Sequence, residues 1–317
     1  MNILVTGASG FVGSALASAL LDDGHTVVSV VRDWTRAPRG VITRGDVTDG
    51  EFCRRVLADY EIDAVYHLAA QAIVSACAED PVTALEVATM GTARLLQAVR
   101  EARRPIRVVV STSDKVYGSA PAPYTEETPL DAHHAYEVSK ACQDLIARMF
   151  HANYGLDVRV VRAVNIYGPG DPNESRLVPR TALRLLRGEP PLLHDGAAQM
   201  RRQYVYIDDV ISALRAVYDR GEPGAAYCIG SPDSPMTVID VMQRMAEIAN
   251  VPFTAPEVKA RSDHFHEIAA QSVCDDKLRG LGWSPGIRFA EGIRRTFDWY
   301  KQTAGRQKMS LEGDPTC

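Results

Sequence analysis

Along the first 165 positions, short unbroken apolar runs alternate with stretches of helical period, and that alternation sets the architecture before any chemistry is considered. Asn2 to Thr6, His25 to Val31, Val41 to Arg44, Ala64 to Leu68, Ile106 to Val110 and Asp157 to Arg162 read as strands. Runs that are apolar at every position belong to strands buried on both faces, as in a parallel sheet. Helical periodicity runs from the glycines at 10 and 13 to about Leu21, from Val82 to Ala102, and from Tyr136 to about Tyr154. Together these predict an α/β fold, a doubly wound parallel (Rossmann) sheet.

Beyond residue 165 the texture changes. Residues 165 to 204 are rich in Pro, Gly and Arg, with a helix expected near Leu177 to Leu186 and a turn at His194-Asp195-Gly196. The pattern predicts a dinucleotide-binding domain over 1–164, joined again by 204–230, and a smaller mixed α/β lobe built from 165–203 and 231–303. Residues 304–317 lack apolar periodicity and are expected to form a frayed tail.

Composition adds mainly exclusions. The 317 residues are 46% hydrophobic and 24% charged, ordinary for a globular chain with a full core. A net charge of −5 offers no basic footprint for nucleic acid or an anionic membrane, which points to small substrates. The six cysteines show no Cys-x-x-Cys pair and no metal-ligand spacing, so they read as reduced thiols of a cytoplasmic protein without structural metal. No charged leader and no run of about 18 apolar residues is seen, so neither export nor membrane embedding is expected.

The first candidate chemistry follows the first strand. Gly7, Gly10 and Gly13 permit a tight turn, close approach of backbone to a pyrophosphate, and close helix packing. The helix start offers free N–H groups to the anion. The spacing is G-x-x-G-x-x-G, and strand before with helix after is the context of a dinucleotide site. The second strand ends in Arg32-Asp33. The acid would bind the adenosine ribose and select NAD, whereas Arg32 keeps NADP open. Asp46, beside Val47, reads either as an acceptor for the adenine amino group or as a turn aspartate. His67, on a buried strand, reads as a satisfied core histidine.

The second candidate is the stretch from Ser111-Thr112-Ser113-Asp114-Lys115 to Tyr136-Glu137-Val138-Ser139-Lys140. The polar cluster stands at the carboxyl end of a buried strand, where open α/β sheets bind ligands. Tyr136 and Lys140, four apart, stack on one helix face. A fixed positive neighbour would lower a phenol from about pH 10 towards a usable general base. In isolation the pair is no more than a solvated face; the strand end upstream and the glycine turn lift it.

These residues resemble the extended short-chain dehydrogenase/reductases, in particular the nucleotide-sugar epimerases and dehydratases. The resemblance is carried by Thr6 to Gly13, His67 to Gln71, Ser113, Tyr136 and Lys140, Asn165 to Pro169, Arg202 to Asp209 and Leu281 to Trp283. It implies cofactor contacts from Gly7, Ser9, Gly10, Phe11, Val12, Gly13, Arg32, Asp33, Asp46, Val47, Leu68, Ala69, Ala70, Ser111, Tyr136 and Lys140. It implies a nucleoside-diphosphate sugar held by Gln71, Asn165, Leu177, Val178, Arg202 and Arg261; separately, the helical periodicity of Val82 to Ala102, with the Tyr136 helix, offers an apolar face to a second subunit, so a homodimer is expected. The implied reaction opens with oxidation at the sugar C4: Tyr136 takes the hydroxyl proton, Ser113 holds the oxygen, and Lys140 binds the nicotinamide ribose. Ala88, His134-Ala135 and Gln203 depart from the family pattern.

A 4-keto sugar can be re-reduced, giving an epimer, or lose water across C5 and C6. Elimination needs an acid and a base, and Asp114-Lys115 stand where 4,6-dehydratases carry theirs. Ser113-Asp114-Lys115 resembles the CDP-glucose 4,6-dehydratase version. The leading expectation is an NDP-hexose 4,6-dehydratase using NAD. The alternatives are a 4-epimerase or 2-epimerase, a dehydrogenase releasing reduced cofactor, and a non-catalytic NAD(P)-binding sensor or scaffold, against which the intact Ser113, Tyr136 and Lys140 argue.

Overall fold

A computed structural model describes residues 1–32, 38–260 and 268–312, with 304–312 as helical backbone only. Its centre is a seven-stranded sheet. The strands are β1 (Asn2–Thr6), β2 (Thr26–Val31), β3 (Val41–Arg44), β4 (Ala64–His67), β5 (Arg107–Ser113), β6 (Val158–Ala163) and Ala226–Ile229. Reading across the sheet, the order is Ala226–Ile229, β6, β5, β4, β1, β2, β3, all parallel. Chain order reverses between β1 and β4, and at such a reversal the carboxyl ends of the two strands open a crevice.

Every expected strand is present, and the core explains the unbroken apolar runs. Along β1, Ile3 and Val5 face one apolar cluster while Leu4 faces the other. Successive side chains on a strand point to opposite faces, so both faces being covered demands apolar residues throughout.

Two boundaries differ from expectation. β5 runs to Ser113, three residues beyond the apolar run, because Ser111, Thr112 and Ser113 pair in register with Val161, Arg162 and Ala163. The pairing is set by backbone groups, which polar side chains also carry. The last helix, Phe289–Glu312, continues past the expected end at Thr303. Residues 304–312 include Ala, Arg, Gln, Lys, Met, Leu and Glu, all good helix formers.

The expected helix over Val82 to Ala102 is Pro81–Leu85, a π-helical segment Glu86–Gly91, and Thr92–Glu101. The helix carrying Tyr136 and Lys140 is Ala135–Tyr154. Glu137 fixes its start by accepting from the backbone N–H groups of His133 and His134, and Gly155, at φ +68°, ends it.

Residues outside the large sheet form small ones. Asn165–Tyr167 pairs with Tyr204–Tyr206; Arg201–Arg202 lies between Met236–Thr237 and Ala270–Gln271; Leu192–His194 pairs with Glu257–Lys259. Among the described residues no helix is long and apolar enough to cross a membrane. No metal-binding cluster is found among them, and Cys53, Cys77, Cys142, Cys228 and Cys274 are all free thiols.

Candidate active site

A cleft of about 980 Å³ opens at the carboxyl ends of the strands, at the reversal between β1 and β4. Gly7, Ser9, Gly10, Phe11, Val12 and Gly13 line one end of it. Gly7 has φ +68°, and a Cβ there would lie 2.9 Å from the backbone of Leu68 and Ala69; one at Gly13 would lie 2.2 Å from the Gly7 carbonyl oxygen. The turn is therefore drawn against both the end of β4 and the first helix, leaving backbone in the cleft where side chains would stand. A dinucleotide fits such a cradle.

Arg32, Asp46 and Val47 line the cleft beyond this turn. Asp46 Oδ1 accepts from both the backbone N–H and the hydroxyl of Thr48, each at 2.8 Å. It is thus a turn aspartate and a cleft residue at once. Asp33 and Arg261 lie outside the described residues.

Leu68, Ala69 and Ala70, against which the turn packs, also line the cleft, followed by Ala72 and Ile73. Gln71, expected to touch substrate, is not among the lining residues. Its backbone carbonyl accepts from the Cys77 thiol.

Ser111, Ser113, Asp114, Lys115, Tyr136 and Lys140 converge on the middle of the cleft. The Ser113 hydroxyl donates to Asp114 Oδ1 at 3.1 Å and accepts the Lys115 backbone N–H at 3.2 Å. Asp114 is 3% exposed, and its Oδ2 has no hydrogen-bond partner among the described residues. Burial raises its carboxyl above the ordinary carboxylate range, against the opposing pull of Lys115, Ser113 and Arg202. Lys115 Nζ donates to Gln271 Oε1 at 3.4 Å.

The lysine and tyrosine do not interact as expected. Burial raises the Tyr136 phenol, and what opposes this is a hydrogen bond with Ser113 and the charge of Arg176. Lys140 instead donates to the Ser111 carbonyl at 3.1 Å and to Gln143 Oε1 at 2.9 Å. Spacing of four puts both residues on one face but leaves a long side chain free to turn, and buried acceptors beneath it decide the direction. Burial lowers its ammonium to about 8. His67 is the satisfied core histidine expected, held down to about 3 by burial between Thr6 and Thr92.

Asn165, Leu177, Val178 and Arg202 line the far end. Asn165 Nδ2 donates to the Gln203 carbonyl at 3.2 Å, while the Gln203 amide oxygen accepts the Val273 N–H. Arg202, 7% exposed, donates to the Arg201 carbonyl at 2.9 Å. Arg176, Arg180, Tyr204 and Lys259 also line this end and were not singled out as site residues in the sequence. The Arg-rich texture of residues 165 to 204 was the signal that could have found Arg176 and Arg180, and Tyr204 lies in the Arg202 to Asp209 segment that carries the resemblance; no local signal marks Lys259, which arrives through strand pairing with His194.

The chain matches the family model described as "NAD dependent epimerase/dehydratase family" over residues 3–230. It is 35% identical over 320 residues to dTDP-glucose 4,6-dehydratase of Streptomyces antibioticus, covering 95% of this chain and 92% of that protein. A solved dTDP-glucose 4,6-dehydratase of Streptomyces venezuelae with NAD bound is 30% identical with a TM-score of 0.87, over 96% of this chain and 98% of that one. UDP-glucose 4-epimerase of Thermotoga maritima, solved with UDP-glucose, is 26% identical with a TM-score of 0.88, over 96% and 100%.

Proposed function

The chain belongs to the NAD-dependent epimerase/dehydratase family, and from that membership we propose that it is an NDP-hexose 4,6-dehydratase that retains NAD through turnover. The observation that carries dehydration rather than epimerisation is Asp114. It is a buried carboxyl whose protonated form burial favours, with one oxygen steadied by Ser113 and the other without a hydrogen-bond partner among the described residues. That is what delivery of a proton to a departing hydroxyl requires.

The glycine turn, Arg32, Asp46 and the Leu68 to Ala70 wall would hold the cofactor, with Ser111 and Lys140 at its nicotinamide end. Bound NAD would supply the hydride acceptor for C4, the hydride donor for C6, and a positive charge that favours a phenolate. Tyr136 then takes the C4 hydroxyl proton while Ser113 holds that oxygen. Oxidation at C4 acidifies the C5 proton, which Lys115 removes as Asp114 protonates the C6 hydroxyl, so that one water leaves and a C5–C6 double bond forms. Lys115 would then return its proton to C5, giving a 4-keto-6-deoxy sugar. Asn165, Leu177, Val178 and Arg202 would bind the diphosphate and nucleotide, joined by Arg176, Arg180 and Lys259.

The arrangement supports two lobes, the cofactor half over 1–164 with 204–230 and the substrate half over 165–203 with 231–303. We further infer a homodimer through the helix pair bearing Val82 and Met90 on one side and Leu145 and Met149 on the other. These are large apolar residues that the single chain leaves exposed, Val82 at 72%. Sedimentation of wild type against Leu145→Glu tests it, with a dimer becoming a monomer as the expected result.

The two dehydratases named above act on dTDP-glucose, while the Ser113-Asp114-Lys115 segment resembles the CDP-glucose enzymes. A panel of dTDP-, CDP- and UDP-glucose, followed by mass analysis of the products, therefore tests the function. Loss of one water from one of them is expected. Unchanged mass with altered stereochemistry would make the protein an epimerase, as the likeness to the Thermotoga maritima enzyme would then indicate.

A further inference from the structure

Behind the cleft, four buried side chains connect Lys140 to the turn at the end of β1. Gln143 is fully buried, accepts from Lys140 Nζ at 2.9 Å, and donates from Nε2 to Thr92 Oγ1 at 3.2 Å. Thr92 Oγ1 lies 3.0 Å from His67 Nε2, and His67 Nδ1 lies 2.8 Å from Thr6 Oγ1. Thr6 Oγ1 in turn accepts the backbone N–H groups of Leu68 and Ala69, at 3.1 and 3.2 Å.

Hydrogen-bond capacity fixes the direction of every link. Thr6 Oγ1 has both lone pairs engaged, so its proton goes to His67 Nδ1, which makes His67 neutral with its proton on Nε2. That proton goes to Thr92 Oγ1. Thr92 donates its own to the Ala88 carbonyl at 2.6 Å, so its remaining acceptor site takes the Gln143 N–H. Gln143 can then present only its carbonyl oxygen to Lys140. The chain of donors has a single solution, and no member can turn without leaving a buried polar atom unpaired.

We propose that Gln143 is a positioning residue for Lys140: held by Thr92, His67 and Thr6, it fixes one ammonium N–H group and, with the Ser111 carbonyl fixing a second, directs the third into the cleft, towards the nicotinamide end of the cofactor. The proposal rests on the reading of the cleft as an NAD site. Ser111 supplies the second acceptor, and the same network terminates on the Leu68 and Ala69 backbone that walls the cleft. One buried chain thus sets both the lysine and the wall facing it.

The other titratable groups packed around Lys140 are the Cys77 thiol on helix Val74–Glu79, pushed up to about 11 by burial, His67 on β4, held near 3, and Tyr136 on its own helix, raised by burial. Lys140, at about 8, is the one of these whose charge changes just above neutrality. NAD affinity should therefore fall as pH rises through the Lys140 transition.

Equilibrium binding of NAD to the cofactor-stripped protein, measured from pH 6 to 10 with ADP as a second ligand, tests the assignment. Gln143→Leu removes an acceptor of the ammonium: NAD binding should weaken by about tenfold to a hundredfold, with the pH midpoint moved down, while ADP affinity holds within about twofold. Gln143→Glu keeps an oxygen opposite Lys140 and adds charge, so its midpoint should move up. Wild-type NAD affinity and midpoint in Gln143→Leu would overturn the proposal. So would equal weakening of NAD and ADP, which would make the network a packing element. If Gln143→Leu does not fold, the Gln143→Glu midpoint decides alone, an upward shift supporting the proposal and a wild-type value refuting it. The readout is cofactor binding, so it stands apart from whether the product is dehydrated.

Discussion

Ser113 donates its hydroxyl to Asp114 across 3.1 Å, so the group assigned to hold the C4 oxygen and the group assigned to protonate the C6 oxygen are one hydrogen bond apart. Oxidation and elimination are nonetheless separable. In Asp114→Ala, Lys115→Ala, the residues needed for oxidation are intact, and a single turnover should still reduce the bound cofactor. Dehydrated product should fall by at least about 10²-fold, the usual worth of one acid or base group. Near wild-type dehydration in the double variant would show the pair to be structural.

Tyr136→Phe removes the ionisable hydroxyl and little else. Turnover should drop by about 10² to 10⁴ while NAD and nucleotide-sugar binding hold. Activity within tenfold of wild type would remove Tyr136 from the role of base.

The stability of the cofactor-free protein should carry a Lys140 signature. Burial lowers its ammonium from 10.5 to about 8, so between those values the unfolded chain binds more protons than the folded one. Stability contributed by this group therefore rises with pH across that window, and Lys140→Met should abolish the rise. Comparing denaturant unfolding of the two proteins at pH 7 and pH 10.5 should give a difference of about 3 kcal/mol. Parallel pH profiles would contradict the burial of a charged lysine.

Gly13→Ala places a methyl 2.2 Å from the Gly7 carbonyl oxygen, a contact only backbone movement can relieve. The melting temperature should fall by roughly 2 to 8 °C, and NAD binding should weaken with it. A variant that melts and binds like wild type would mean that the turn is looser than this packing implies.

Local spacing was enough to determine the parallel sheet, the glycine turn after β1, and the Tyr136 and Lys140 pair on one helix. Each of these follows from short-range geometry: apolar continuity in a strand covered on both faces, free φ at glycine, and four residues to a helical turn. What the side chains do with that scaffold was settled only by the tertiary structure. Lys140 turns to Gln143 and Ser111 instead of the phenol. Thr92, fifty-one residues away in sequence, holds Gln143, and Gln271, 156 residues from Lys115, meets its Nζ. The raised pKa of Asp114, on which the choice of reaction turns, is likewise a product of burial by segments distant in sequence. Spacing along a chain specifies which face a residue occupies; desolvation and the pairing of buried donors depend on what the rest of the chain brings to that face.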